Sequence, residues 1–167
     1  MHDETSKELR TTLTSAGKLE LSIVTMPMPE PREGEVLLKV EASPINPSDL
    51  GLLLGPADVA SLSITGSGDD TIASMDVPEA MMPAMQARFD AALPVGNEGA
   101  GVVIAAGAGA EHLVGQTIGV AGGAMYSQYR CAPAASCIVT NEGTTPPPGA
   151  SCFVNPLTAL GMVETMK

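Results

Sequence analysis

Apolar and polar residues alternate strictly through Lys18-Leu19-Glu20-Leu21-Ser22-Ile23, the period of a half-buried β-strand. Proline then recurs at every second position in Met26-Pro27-Met28-Pro29-Glu30-Pro31, which reads as an extended connector. After Gly34 comes the clearest strand, Glu35 to Ala42. Val36, Leu38, Val40 and Ala42 lie on one face, and Glu35, Lys39 and Glu41 share the other with Leu37, so a sheet with one wet face is expected. Asn46-Pro47-Ser48-Asp49 reads as a helix start, with Asn46 as cap, Pro47 first in the helix and Asp49 three beyond the cap. Gly55-Pro56 ends that helix.

Residues 57–76 are small and polar, with a turn at Gly66-Ser67-Gly68-Asp69-Asp70 suited to joining two short strands. Pro83 opens a second helix, with Met82, Met85, Phe89 and Leu93 at helical spacing. From Pro94 the pattern is β again: Val102-Val103-Ile104, Thr117 to Val120, Tyr126 to Arg130 and Cys137 to Thr140. Gly107-Ala108-Gly109-Ala110 reads as a hairpin turn, and Pro146-Pro147-Pro148-Gly149 as a stiff link. A last helix follows the cap-like Asn155-Pro156, with Ala159, Met162, Val163 and Met166 at i, i+3, i+4 and i+7. Leu157 and Leu160 make it apolar on other sides too, as expected of a helix that something covers.

Composition narrows the function classes. The chain has 167 residues, enough for one domain, with 18 glycines and 14 prolines spread as punctuation between short strands. A net charge of −11 argues against binding a phosphate backbone, and four aromatic rings (Phe89, Tyr126, Tyr129, Phe153) with no tryptophan argue against stacking on single strands. No apolar run approaches a membrane span, and residues 1–10 are too charged for a secretory leader. Three irregularly spaced cysteines, Cys131, Cys137 and Cys152, suggest free thiols in a reducing compartment, and a cytoplasmic location is the expectation.

The most pointed string is Gly96-Asn97-Glu98-Gly99-Ala100-Gly101-Val102-Val103, whose glycines allow a sharp turn or a close backbone approach. No G-x-G-x-x-G fingerprint or G-x-S-x-G elbow occurs. His2 and His112 are isolated and the cysteines lack ligand spacing, so no metal site is expected. Met81, Met82 and Met85 read as adaptable core packing.

Four strings in order carry a resemblance: Gly34 to Val40, Pro44-Ile45-Asn46-Pro47-Ser48-Asp49-Leu50, Pro94 to Val103, and Asn155-Pro156-Leu157-Thr158-Ala159-Leu160. Together they resemble the N-terminal catalytic domain of the zinc-free medium-chain dehydrogenase/reductases, in their quinone oxidoreductase and enoyl-thioester reductase branches. The resemblance implies a mainly β (α+β) fold, a GroES-like, partly open β-barrel with a few short helices. That domain would span residues 18–154, with residues 1–17 as a tail or first strand and residues 56–92 as an insertion. Residues 155–167 would begin the connector helix toward a Rossmann domain that the chain lacks.

The implied chemistry is hydride transfer from NADPH to a quinone or an α,β-unsaturated carbonyl, with the chain alone inactive. By the same resemblance, Asn46 and Asp49 are candidate catalytic residues, and Asn46 and Thr158 would meet the cofactor. Asn97, Glu98 and Tyr126 would line the substrate pocket. Zinc-dependent relatives carry a histidine where Asn97 stands and a cysteine just before the short helix, so no zinc is expected. The proton-donating tyrosine of enoyl-thioester reductases has no counterpart before Tyr126, which leaves the acceptor open. The expected partners are a small-molecule acceptor and, as an option, a second copy in a homodimer, with neither nucleic acid nor membrane. The alternative is a freestanding GroES-like binding or scaffold module.

Overall fold

The computed structural model describes residues 5–166. Two five-stranded antiparallel sheets make up the fold. The first sheet has the order β4-β5-β2-β1-β6, from β1 (Thr5–Leu13), β2 (Lys18–Pro27), β4 (Asp58–Thr65), β5 (Ile72–Asp76) and β6 (Ala92–Pro94). The second has the order β10-β8-β7-β3-β9, from β3 (Glu35–Ala42), β7 (Glu98–Ala106), β8 (Thr117–Ala121), β9 (Tyr129–Pro133) and β10 (Cys137–Val139). Four short helices complete it: α1 (Pro47–Leu53), α2 (Met82–Met85), α3 (Pro146–Gly149) and α4 (Val154–Thr165). The sheets join along one seam, where Leu9 donates its N–H to the Tyr126 carbonyl at 2.9 Å and Gln128 donates to the Lys7 carbonyl at 2.9 Å. This is the partly open, GroES-like β-barrel that the resemblance implied.

Each sheet carries its own core. Val36, Leu38, Val103, Ile118, Val120 and Met125 pack in the second. Leu13, Leu19, Met75 and Val77 pack in the first, covered by Met82, Met85 and Phe89. Gly101 shows why the glycine-rich string is there: a Cβ at this position would lie 1.9 Å from the Lys39 carbonyl oxygen of the paired strand. Only a residue without a side chain lets β7 lie against β3 where the register shifts between Val40 and Ala42.

Of the two readings of the N-terminal segment, residues 5–13 take that of a first strand, pairing with both β2 and β6, and His2 lies outside the described residues. Several expectations need correction. The strand read at 18–23 runs on to Pro27, because Thr5 of β1 pairs there. The second face of β3 is not wholly wet, since Leu37 is buried alongside Val36 and Leu38. The helix opened by Pro83 ends at Met85, and Met81 is exposed rather than packed. Asp90 turns the chain with a positive φ of 60°, and Leu93 is drawn into β6 opposite Thr11. Within residues 56–92, the two strands read on either side of the turn at 66–70 form, and they extend the first sheet, since β5 pairs with β2 and β4 with β5. Pro146 to Gly149 is a helical turn, closed by the Ala150 N–H on the Pro146 carbonyl at 2.8 Å.

Candidate functional site

The loop after β3 leads into α1 through Asn46, which caps the helix in an extended conformation with Pro47 next. The Asn46 backbone N–H donates to Asp49 Oδ2 at 2.8 Å, closing the turn predicted by the Asn-Pro-Ser-Asp spacing. The other oxygen, Asp49 Oδ1, accepts the N–H of Asn97 at 2.8 Å, and the Asn97 side-chain amide donates to Ser48 Oγ at 2.9 Å. A carboxylate that is 2% exposed thus clamps α1 to the loop entering β7. That loop passes behind Tyr126 at Gly96, whose φ is +94° and whose Cβ would lie 2.6 Å from the tyrosine ring.

Tyr126 donates its phenol to the Pro44 carbonyl at 3.0 Å, and Ser43 Oγ donates to the Met125 carbonyl at 2.7 Å. Burial, then the negative charge of Asp49, pushes the Tyr126 phenol up to about 12. At neutral pH the ring keeps its proton firmly. Beside it opens a cleft of about 510 Å³ between the two sheets, with Leu9, Ile23, Val40, Met125 and Tyr126 among its lining residues.

Glu98 has no exposed surface. Its Oε1 accepts the Asn46 side-chain amide at 3.1 Å, and its Oε2 accepts the backbone N–H groups of Phe153 at 2.9 Å and Val154 at 3.0 Å. Asn155 reaches back to donate its amide to Asn46 Oδ1 at 3.4 Å. The hydroxyl of Thr158 donates to the Val154 carbonyl at 2.6 Å.

The structure therefore gathers Asn46, Asp49, Asn97 and Glu98 into one hydrogen-bonded cluster, with Tyr126 against Asp49. Thr158 stands one helical turn away on an exposed face. Of the three residues read as lining the pocket, Tyr126 borders this cleft and Asn97 and Glu98 do not; the Glu98 carboxylate is turned inward and taken up by three N–H donors. The helix read as capped by Asn155 begins two residues earlier, with Phe153 at the cap, and Asn155 serves Asn46 instead. Sequence reasoning missed Ser43, whose role is a side-chain bond to a residue 82 positions away, with no local signal. Among the described residues no three His, Cys, Asp or Glu side chains gather where a metal ion could sit.

No family model matches the chain. A zinc-type alcohol dehydrogenase-like protein of Schizosaccharomyces pombe is 30% identical over 138 residues, 82% of this chain and 33% of the relative. The chain thus spans about a third of the curated relative it matches. Among solved structures, the quinone oxidoreductase of Coxiella burnetii matches at a TM-score of 0.66 and 19% identity, over 97% of this chain and 45% of that one. A putative NADPH:quinone reductase of Mesorhizobium loti matches at 0.63 and 23% identity, over 96% and 44% respectively. The Escherichia coli quinone oxidoreductase complexed with NADPH matches at 0.62 and 18%, over 98% and 41%. At the level of the fold, these comparisons bear out the resemblance read from the sequence.

Proposed function

We propose that this chain is the substrate-side part of an oxidoreductase that moves a hydride from NADPH to a quinone or an α,β-unsaturated carbonyl, without zinc. The observation that carries the reading is the convergence of Asn46 on the start of α4, through Asn155 at 3.4 Å, beside an apolar cleft bordered by Tyr126. Solved proteins of this fold include a putative NADPH:quinone reductase and a quinone oxidoreductase complexed with NADPH, which supports the choice of cofactor and acceptor.

NADPH would supply the hydride, and a proton from water would complete the reduced acceptor, leaving NADP⁺. The Thr158 hydroxyl has committed its hydrogen to the Val154 carbonyl, which leaves its oxygen as an acceptor. That is the polarity a carboxamide NH₂ requires. Asn46, 2% exposed, gives one amide hydrogen to Glu98; its second would serve an acceptor oxygen that gains negative charge at the start of α1. The apolar part of the cleft, Leu9, Ile23, Val40 and Met125, favours a flat, uncharged acceptor, with Lys7, Glu8 and Glu41 at its border. At the position matched to the zinc-binding histidine, Asn97 presents an amide, bonded to Ser48 Oγ, in place of an imidazole.

Titrating the isotope-labelled chain tests this reading. NADPH is expected to shift the amides of Asn155 and Thr158, and a water-soluble benzoquinone those of Val40 and Tyr126, with no turnover by the chain alone. Shifts confined to other regions would overturn the assignment of the site. Saturable NADPH oxidation by the chain alone would overturn its incompleteness.

A further inference from the structure

We infer that Glu98 is the joint that aims helix α4, and thereby a positioning residue for Thr158. The first backbone N–H groups of any helix lack partners within it, and a nearby Ser, Thr, Asp or Asn normally supplies one. Helix α4 has no such device: its cap residue is Phe153, and its first turn carries no acidic side chain. The missing acceptor comes from 55 positions earlier, where Glu98 Oε2 takes the N–H of Phe153 at 2.9 Å and that of Val154 at 3.0 Å. A buried negative charge at the positive end of a helix makes these bonds charge-assisted, stronger than a neutral cap.

The body of the helix is not packed on the barrel. Residues 155–166 are exposed, including Leu157, Leu160, Met162 and Val163, so side-chain packing on the barrel does not hold it. At its start, Phe153 lies against Gly119, and the side-chain bonds that tie the helix to the barrel are those of the Glu98 carboxylate and the reach of Asn155 to Asn46. The carboxylate is fixed in turn, because Glu98 pairs with Ala121 in the sheet and its other oxygen holds the Asn46 amide at 3.1 Å. One side chain therefore joins strand β7, the cap of α1 and the start of α4.

The joint passes directly to Thr158. Val154 gives its N–H to Glu98 and receives the Thr158 hydroxyl on its carbonyl at 2.6 Å. Where Glu98 holds Val154, the Thr158 oxygen is held relative to Asn46. This inference stands on the hydrogen bonds alone and survives if the hydride-transfer reading fails.

Amide exchange and residual dipolar couplings of the isotope-labelled chain test it. In the native chain, Phe153 and Val154 should exchange at least about tenfold more slowly than Asn155, the next amide without an intrahelical acceptor. Glu98→Gln, which loses the charge and must share its one oxygen between Asn46 and the helix start, should reduce that difference severalfold and scatter the dipolar couplings of α4, while Leu38, Val103 and Ile118 keep their protection. Glu98→Asp, with the charge kept and the reach shortened, should fall between the two. Unchanged exchange at Phe153 and Val154 in Glu98→Gln would overturn the inference, as would an equal loss across the core strands. Should Glu98→Gln not fold, the native comparison decides, since equal exchange at Phe153, Val154 and Asn155 would also overturn it.

Discussion

The carboxylate of Asp49 accepts the backbone N–H of Asn97 at 2.8 Å, binding the first turn of α1 to a loop 48 positions further along the chain. Its second oxygen takes the N–H of Asn46, so one side chain satisfies two donors that no strand or helix ladder serves. Asp49→Ala should therefore lower stability by about 3 kcal/mol, and Asp49→Asn, which keeps one oxygen, by about half as much. Urea denaturation measures both. Equal losses for the two variants would show that the second oxygen contributes nothing.

Tyr126 sets a limit on alkaline stability. An unfolded tyrosine ionises near 10.0, whereas the folded one holds its proton up to about 12. Between those values the unfolded chain loses a proton that the native chain retains, so stability falls as pH rises through this window and is unaffected below it. A phenolate absorbance titration should show a late transition near pH 12 that Tyr126→Phe removes. A titration unchanged by Tyr126→Phe above about pH 11 would contradict the geometry.

Gly101→Ala should destabilise the chain by about 3 kcal/mol or more, since the added Cβ meets a strand carbonyl that cannot move aside. Gly161→Ala is the contrasting substitution: nothing lies within 4 Å of a Cβ there, and alanine favours helix over glycine. Thermal melts of the two variants should move in opposite directions or leave Gly161→Ala unchanged. A large loss in both would mean that crowding is not the cause.

Cys152 should react slowly in the native chain. Burial, and after it the charge of Glu98, pushes its thiol up, which lowers the thiolate available to an alkylating reagent. Mass-resolved alkylation at neutral pH should label Cys152 about tenfold faster once the chain is unfolded. Native labelling as fast as unfolded labelling would refute this.

Local chemistry made much of the barrel legible. The alternation in β2 and β3, the Asn-Pro-Ser-Asp start of α1 and the turn at residues 66–70 each depend on neighbours a few positions away, and each appears where the residues put it. Helical spacing through Leu93 misled because pairing of Leu93 with Thr11 offers the backbone a ladder that a short exposed helix cannot match. The order of four strings along the chain carried the resemblance, and through it the fold.

By itself, then, the sequence determined the elements, the glycine-rich close approach and the identity of the polar residues at the site. Tertiary structure decided what those residues do. Glu98 and Asp49 look alike as single carboxylates in a sequence, and nothing local distinguishes a pocket acid from a helix cap. Their roles come from donors 55 and 48 positions away, which only the pairing of strands and the docking of helix ends bring to hydrogen-bond distance. A buried carboxylate must find partners wherever the fold presents them, because leaving its charge unpaired costs more than almost any local preference can recover.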